Sequence, residues 1–214
     1  MVGKIATHKD KRLTGVRGWF NVAGTVGNYD LEERLIGLRQ LEPVSRNATI
    51  LDLGCAEGLI GMHLMKTGPG RLMHGLDEKE RYLVGARMIA RRERLRAKFL
   101  RVDLNHLAEW RAANPDVLLG SYDVVLCLCI AHKLNHPEQF LRQAAGLCGG
   151  YFALQLPASI INDRRSGHHQ FDANWAMLGW GFELFHEEYV SPITTTRTDG
   201  IPRPLFKHIY RRIT

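Results

Sequence analysis

The stretch ILDLGCAEG, residues 50–58, decides the fold. It completes an apolar run that starts at Ala48 and stops at Gly54, and such a run is typical of a strand buried on both faces. Gly54 and Gly58 let the backbone pass close to a ligand without obstruction by a Cβ atom. A helix is predicted from Gly58 to Lys66, and its N-terminus adds partial positive charge at the same turn. The stretch therefore predicts a strand, a ligand-binding turn and a helix.

Strand patterns and helix patterns alternate along the rest of the chain. Asp30 is predicted to cap a helix that runs to Leu41 and ends before Pro43. Further helices are predicted at 78–98, 107–113, 137–147 (ended by Gly149 and Gly150) and 171–178, and strands at 71–76, 99–102, 122–129, 151–156, 182–190 and 205–212. Such alternation implies parallel pairing through right-handed crossovers. We therefore predict an α/β fold with a doubly wound, mostly parallel seven-stranded sheet and an antiparallel C-terminal strand pair at its edge.

The composition suits one soluble globular domain. The 214 residues are 45% hydrophobic and 24% charged, which excludes disordered and coiled-coil classes. An apolar run of membrane-spanning length and a signal peptide are both missing from the sequence, so the cytoplasm is the expected location. Cys55, Cys127, Cys129 and Cys148 are expected to be reduced thiols. The net charge of +7 is compatible with an anionic partner such as RNA, but it does not assign a function by itself.

The glycine spacing at the first strand disfavours a nicotinamide dehydrogenase. Gly54, Gly58 and Gly61 do not form the dinucleotide fingerprint G-x-G-x-x-G. Asp52, two residues before the first glycine, instead suits a ligand that carries an ammonium group. The motif DLGCAEG, residues 52–58, resembles the first motif of class I S-adenosylmethionine-dependent methyltransferases. The resemblance covers residues 48–156 and implies S-adenosyl-L-methionine as the cofactor and methyl transfer as the reaction.

Three more strand ends carry the same resemblance. Asp77 ends HGLD at the position where the family binds the ribose hydroxyls, and Asp103 lies in RVDL where the family contacts adenine. The segment YDVVLCLCIAH, residues 122–132, is similar to the fourth strand, whose exit lies beside the methionine part and the transferred methyl group. The cofactor-binding residues that the resemblance implies are Asp52, Gly54, Cys55, Ala56, Gly58, Asp77, Asp103, Leu104 and Cys127. Asp123 begins its strand, away from the ligand end, and is interpreted as structural.

Histidines beyond the strand ends are the candidates for contact with the methyl acceptor. Methyl transfer from a sulfonium depends mainly on positioning, and a base is needed only when the acceptor must lose a proton. His132, just beyond the fourth strand, is the candidate catalytic base or acceptor-orienting residue, although a structural role is also open. His168 and His169 follow the fifth strand and are further candidates to face the acceptor. Trp19, Tyr29 and His168 are expected to close the acceptor pocket.

The cysteines and histidines near the fourth strand do not predict a metal site. Cys127, Cys129 and Cys148 could join His132 and His136 at zinc, but their spacing lacks a recognised ligand pattern. A cysteine nucleophile for pyrimidine methylation is disfavoured, because no Pro-Cys or Thr-Cys pair is present. We therefore expect buried thiols and no bound metal.

The resemblance leaves the acceptor open. It divides the chain into an N-terminal arm and helix (1–45), a cofactor-binding core (46–156) and an acceptor-side region (157–214). An oxygen or nitrogen of a small molecule or sugar is favoured, since no RNA-binding module is appended. RNA is the alternative, supported by the net charge and by a weaker resemblance of residues 122–128 to RNA-phosphate methyltransferases related to the bicoid-interacting family, from which residues 131–133 depart. A non-catalytic cofactor-binding scaffold subunit is the third possibility.

A basic stripe on the predicted 78–98 helix bears on the RNA alternative. Arg87, Arg91, Arg94 and Lys98 follow helical spacing and could contact phosphates. The distal turns of this helix should point away from the ligand crevice, so a solvated face is favoured. Other basic residues are Arg12, Arg17, Arg211 and Arg212, and the sequence does not show whether they converge.

Overall fold

Seven strands form one sheet in the computed structural model of the chain, which describes residues 30–156, 160–162, 170–190 and 205–213. The strands in chain order are β1 (Thr49–Leu53), β2 (Leu72–Asp77), β3 (Ala97–Arg101), β4 (Tyr122–Leu128), β5 (Cys148–Leu156), β6 (Ile160–Asn162), β7 (Gln170–Asp172), β8 (Phe182–Val190) and β9 (Leu205–Arg212). The sheet order is β3-β2-β1-β4-β5-β9-β8, and β6 and β7 form a separate antiparallel hairpin. The first five strands pair in parallel, and β9 pairs antiparallel with both β5 and β8. The predicted fold class and C-terminal strand pair are confirmed.

Helices cover both faces of the sheet. They are α1 (Leu31–Leu35), α2 (Leu59–Thr67), α3 (Glu80–Arg92), α4 (Leu107–Ala113), α5 (Pro137–Gly146) and α6 (Ala173–Gly179). One apolar core joins α1, α2 and α3 to the sheet, and a second core joins α4, α5 and α6 to the opposite face. Because side chains of a strand alternate between faces, Val124 and Leu126 enter the first core while Val125 enters the second. No helix within the described ranges has the length and apolar character needed to cross a membrane.

The topology places a crevice at the carboxyl ends of β1 and β4. The chain moves outward from β1 through β2 to β3, and then returns to the other side of β1 with β4. In open α/β sheets, ligands bind where the strand order reverses in this way. The residues directly after β1, β2, β3 and β4 therefore meet at one edge of the sheet.

The N-terminal helix is much shorter than the sequence predicted. Asp30 caps it as expected, because its carboxylate accepts a hydrogen bond of 2.8 Å from Glu32 N. The helix ends at Leu35, and Gly37 then adopts a φ of +76°, a conformation that interrupts a right-handed helix. Residues Arg39–Leu41 and Pro43–Ser45 form short 3-10 turns instead.

The predicted long helix at 78–98 is also wrong at its C-terminal end. α3 stops at Arg92, Arg94 has a φ of +54°, and Lys98 lies on β3. Arg87 is on the helix, but its guanidinium donates to the Phe99 carbonyl oxygen and pairs with Glu80. The continuous basic stripe therefore does not exist.

Gly149 and Gly150 were predicted to end a helix, but in the structure they lie at the start of β5. Gly149 and Gly150 belong to the strand, which begins at Cys148. An irregularity in the pairing between β4 and β5 brings the backbone of Asp123 so close to Gly150 that a Cβ atom there would clash. The Asp123 carboxylate accepts hydrogen bonds from Thr49 N and Oγ1 at 2.7 and 2.8 Å, which ties β4 to β1 at the end opposite the crevice. This contact agrees with the structural role predicted for Asp123.

Candidate functional site

A cleft of about 980 Å³, measured to its open mouth, occupies the crevice. The wall combines polar residues that follow the strands with apolar side chains from β4, α2 and α3. Its lining residues are Arg34, Asp52, Gly54, Cys55, Ala56, Ile60, Asp77, Glu78, Lys79, Tyr82, Val102, Asp103, Leu104, Asn105, Leu128, Cys129, Ile130, Lys133 and Leu134.

Asp77 organises two loops at the cleft. It is the last residue of β2, and its side chain is almost fully buried. One carboxylate oxygen accepts from Ala56 N and the other from Lys79 N, both at 2.9 Å. Asp77 thus holds the turn after β1 and the start of α3 together, and it lines the cleft between them.

Asp52 adds a second buried carboxyl group. Its side chain reaches the cleft from β1 and is only 4% exposed. The pKa of Asp52 is raised to about 7, mainly by burial and to a smaller extent by the negative charge of Asp77, against the opposing effect of a hydrogen bond from the Gly61 backbone. Burial and the same two carboxylates also raise the pKa of the Cys55 thiol. The part of the cleft beside Asp52 and Asp77 therefore favours a cationic ligand over an anionic one.

Gly54 and Ala56 shape the turn after β1. Both have positive φ, +72° and +48° respectively, so the turn is sharply folded at the cleft wall. A Cβ atom on Gly54 would lie 2.9 Å from the Ile130 side chain. Glycine at position 54 therefore allows the loops after β1 and β4 to meet at the wall.

Gly58, which the resemblance assigns to cofactor binding, is not among the residues that line the cleft. It is the N-cap of α2 with a φ of +68°, and a Cβ atom there would clash with the Phe99 ring. The glycine is required because α2 and β3 approach each other closely at this point.

Gly58→Ala is expected to lower the free energy of unfolding by about 2 to 3 kcal/mol, because overpacking and an unfavourable backbone conformation add together. Urea denaturation measures the change. Gly120→Ala is a matched control, because a Cβ atom at Gly120 meets nothing within 4 Å. Equal stability of the two variants would contradict the packing explanation.

Asp103 and Leu104 lie at the cleft, where the sequence placed them. Asp103 is exposed and caps the 3-10 turn Leu104–His106 by accepting from Asn105 N at 2.9 Å. Asp103 therefore caps this turn and faces the cleft from the same position. Asn105 also lines the cleft, and its side-chain oxygen accepts from Asn135 N at 2.8 Å.

The exit of β4 differs from the prediction in two respects. Cys127 is fully buried in the second core and does not line the cleft, and its thiol has a pKa raised by burial. Cys129, with a φ of +57°, lines the cleft instead, because the strand ends at Leu128 and the chain turns there. His132 lies in the 3-10 turn Ala131–Lys133 and is not part of the described cleft wall, whereas Lys133 is.

Four expected acceptor-side residues lie outside the described residues. They are Trp19, Tyr29, His168 and His169. Arg12 and Arg17 lie outside them as well. Among the residues that the structure describes, no group of three or more histidine, cysteine, aspartate or glutamate side chains is placed to hold a metal ion.

The sequence reasoning missed the cations of the cleft. Arg34, Lys79 and Lys133 line it, together with the Tyr82 side chain. Lys79 and Lys133 closely follow β2 and β4, so the strand-end rule that found Asp77 could also have found them. Arg34 gives no such signal, because its helix reaches the cleft only through tertiary packing.

Comparisons with known proteins agree with this geometry. The family model described as a methyltransferase domain matches residues 44–180, more than half of the chain. No curated protein shows detectable sequence similarity to the chain.

Solved structures share the fold at low sequence identity. The cyclase SpnF superposes with a TM-score of 0.62 at 14% identity, covering 94% of this chain and 88% of that one. A chain of the Haloferax volcanii complex that contains the Trm112 methyltransferase activator gives 0.60 at 15% identity, covering 86% and 91%. The N-terminal domain of EvdMO1, solved with SAH and D-fucose, gives 0.59 at 16% identity, covering 95% and 92%. These likenesses establish the fold alone.

Proposed function

The chain belongs to the methyltransferase-domain family, and from that premise we propose that it is an S-adenosylmethionine-dependent methyltransferase. One observation carries the proposal: the carboxyl groups of Asp52 and Asp77 are both buried in the cleft. Two such groups would repel the pyrophosphate of a dinucleotide, whereas they favour a ligand with ammonium and sulfonium charges. The folded turn at Gly54 suits the same ligand, because it forms part of the cleft wall without a Cβ atom at position 54.

Several residues of the cleft have a proposed part in cofactor binding. Asp77 would hold the ribose hydroxyls, and Asp103 and Leu104 would contact the adenine. Asp52 and the turn formed by Gly54, Cys55 and Ala56 would hold the methionine part. When bound, the cofactor supplies a methyl group that is already activated by its sulfonium. The chain's own residues then have to orient the acceptor in line with that group and exclude water.

Titration calorimetry tests the proposal. We expect S-adenosylmethionine and S-adenosylhomocysteine to bind with one site per chain. NAD is the control, because its pyrophosphate is disfavoured beside the two carboxyl groups. A folded protein that binds neither sulfur compound at millimolar concentration, or that binds NAD instead, would contradict the proposal.

For the acceptor we propose an oxygen or nitrogen of a small molecule or sugar. The loss of the basic stripe on α3 removes one argument for RNA, since Arg87 is engaged with Phe99 and Glu80. Sugars are the first acceptors to screen, because the EvdMO1 domain was solved with D-fucose. Radiolabelled cofactor should be incubated with separate metabolite, glycan, RNA and protein fractions. Label confined to RNA would overturn this preference, and label in no fraction would favour the scaffold alternative.

His132 is the proposed base for acceptors that must lose a proton. In that role, His132→Ala would lower turnover roughly a hundredfold while cofactor affinity stays nearly constant. His136→Ala is a control, since His136 also follows β4 but lies farther along the chain, as the N-cap residue of α5. Equal turnover of the two variants, measured where chemistry limits the rate, would leave His132 a packing residue.

A further inference from the structure

The residues that precede β1, β2 and β3 meet at the edge of the sheet opposite the cleft, because these strands are parallel neighbours. Arg71 directly precedes β2, and its backbone N–H donates to the Ala48 carbonyl oxygen beside β1 at 2.8 Å. Arg96 directly precedes β3, and its carbonyl oxygen accepts from Met73 N at 3.0 Å. Arg71 and Arg96 are therefore neighbours at the starts of adjacent strands.

Arg46 extends this row to β1. It lies three residues before Thr49, the first residue of β1. The adjacent Asn47 N donates to the Pro69 carbonyl oxygen at 2.9 Å, in the loop that leads to Arg71. Neighbouring strands lie about 4.8 Å apart, so the three arginines occupy the starts of three strands over about 10 Å of the sheet.

Three more cations flank this row. Arg91 is in the last turn of α3, and Arg94 N donates to its carbonyl oxygen at 3.2 Å. The turn at Arg94, with a φ of +54°, joins α3 to β3, and Lys98 lies on β3 two residues after Arg96. These residues do not form a helical stripe, but the turn brings them beside the start of β3. We call the complete set of six the basic edge: Arg46, Arg71, Arg91, Arg94, Arg96 and Lys98.

The charge of the basic edge is not neutralised within the described part of the chain. All six residues are exposed, and none of their side chains forms a hydrogen bond or an ion pair with another described residue. Acidic residues at the same end of the sheet are already engaged. Glu93 accepts from Lys66 at 2.7 Å and from Arg92 at 3.1 Å, and the Asp123 carboxylate accepts from Thr49. The six positive charges are therefore available to an external anion.

The composition and shape of the basic edge suit an extended chain of phosphates. Five of its six residues are arginines, and a guanidinium can donate two parallel hydrogen bonds to one phosphate. A row of cations along the sheet can meet successive phosphates of one strand, whereas a single small anion would leave most of the row unused. Exposed arginines clustered on one side of a domain are typical of nucleic-acid-binding proteins.

The exposed apolar side chains lie elsewhere, which bears on the choice between a nucleic acid and a membrane. Of the eight large apolar residues that are exposed in the described ranges, six belong to α6, to β8 or to the position directly after β9. They are at or beside the β8 edge of the sheet, opposite β3, and only Val84 is on α3. Membrane-surface segments combine basic residues with apolar side chains that enter the bilayer. The basic edge therefore favours a nucleic acid.

We propose that the basic edge binds the phosphate backbone of a nucleic acid, at a surface separate from the methyl-transfer site. The cleft is at the carboxyl ends of the strands, and the five residues of β1 place the two ends about 16 Å apart. A nucleic acid bound at the basic edge is a docking partner of the chain and not its methyl acceptor. The proposal therefore does not depend on the proposed methyltransferase activity.

The first experiment measures nucleic-acid binding and its salt dependence. Fluorescence anisotropy follows a labelled single-stranded RNA of about 20 nucleotides, and the DNA of the same sequence, at several KCl concentrations. We expect both to bind, with a slope of log affinity against log salt of about −3, because four or five phosphate contacts contribute about −0.7 each. Equal affinities would indicate recognition of phosphate alone, and a preference for RNA would add a contact with the 2′-hydroxyl group. Binding of neither strand would overturn the proposal.

The second experiment tests the location of the contact. At low salt we expect the double variant Arg71→Gln/Arg96→Gln to bind RNA about tenfold or more weakly than the wild type, with a slope smaller by about 1.4, because two phosphate contacts are lost. Arg39→Gln/Arg142→Gln is the matched control. It removes the same charge from exposed side chains that already pair with Glu32 and Glu138. Equal affinity of the two double variants would overturn the assignment, since the overall charge of the chain would then explain the binding.

Binding of S-adenosylhomocysteine keeps this surface and the cleft apart. No residue of the basic edge is among those that line the cleft, so Arg71→Gln/Arg96→Gln should bind this ligand as the wild type does. Saturating S-adenosylhomocysteine should change the affinity for RNA by less than about twofold. Competition between the two would place the nucleic acid in the cleft and overturn the proposed location. Wild-type protein that binds RNA but no S-adenosylhomocysteine contradicts the methyltransferase proposal alone.

Two other polyanions test the class of partner. Phosphatidylserine vesicles represent an anionic membrane, and polyglutamate represents an acidic protein segment. We expect both to bind more weakly than RNA at the same salt concentration, because arginines in a row match successive phosphates. Tighter binding of the vesicles or of polyglutamate would overturn the proposal by assigning the basic edge to a membrane or to an acidic protein.

Discussion

Asp77→Ala is expected to weaken the binding of S-adenosylhomocysteine by about a hundredfold or more. A hydrogen bond between a ligand and a charged side chain contributes about 1.5 to 3 kcal/mol. The substitution also removes the acceptor of two backbone amides, those of Ala56 and Lys79, so both loops at the cleft lose their common support. Both losses weaken the binding of the same ligand. We therefore expect Asp77→Ala to lower the affinity more than the substitution of any other single residue of the cleft wall.

Calorimetry on folded protein measures the change. Glu78→Gln is the matched control, because Glu78 follows Asp77 directly and lines the same cleft, but its side chain is exposed and pairs with Lys79 at 3.7 Å. Asp77→Asn should lie between the control and Asp77→Ala, since an amide oxygen can still accept one of the two backbone hydrogen bonds. Unchanged affinity in folded Asp77→Ala would remove Asp77 from the cofactor site.

Much of the fold follows from local patterns in the sequence. Residues 48–53 and 122–129 are nearly uninterrupted apolar runs, and buried parallel strands require such runs. The structure has β1 and β4 at these places. The pattern failed where a backbone conformation decided the outcome: positive φ at Gly37 and Arg94 ends α1 and α3 early, although the apolar spacing continues beyond them.

The residues of the candidate site were also predictable only in part. Asp52, Asp77 and Asp103 were predictable because the carboxyl ends of parallel strands meet at one edge of the sheet. The cleft wall contains Cys129 and not Cys127, since the point at which β4 ends is set by the turn at Cys129 and not by composition. Arg34 could not be predicted, because its position depends on a hydrogen bond from Lys207, which is far away in the sequence.

Asp52→Asn is expected to flatten the pH dependence of stability between about pH 4 and pH 7. The pKa of Asp52 is raised from 3.8 to about 7 in the folded chain. In this range the folded protein retains a proton that the unfolded chain has released, so the free energy of unfolding of the wild type falls as the pH rises. The total fall is on the order of 4 kcal/mol, because each pKa unit corresponds to about 1.4 kcal/mol. Asparagine cannot ionise and removes this contribution.

Chemical denaturation at several pH values measures the slopes. At pH 8 Asp52→Asn should be more stable than the wild type by a few kcal/mol, and at about pH 3 the two should differ little, because Asp52 is then mostly protonated in both states. Asp103→Asn is the control, since Asp103 lines the same cleft but is exposed to solvent. Parallel slopes for wild type and Asp52→Asn would show that Asp52 is ionised in the folded protein throughout this range.

The same carboxyl group links cofactor binding to proton release. An ammonium group beside Asp52 stabilises the ionised form and therefore lowers the pKa of Asp52 in the complex. Between about pH 6 and pH 7 the binding of S-adenosylhomocysteine should release a proton, and its affinity should rise with pH until Asp52 is fully ionised. Calorimetry in two buffers with different heats of ionisation counts the protons, and Asp52→Asn should release none from this site while binding more weakly. If the ligand binds equally well to both proteins and releases no proton, its ammonium group does not lie at Asp52. Ionisation of Asp52 would then lower the stability of the fold without raising the affinity for the cofactor.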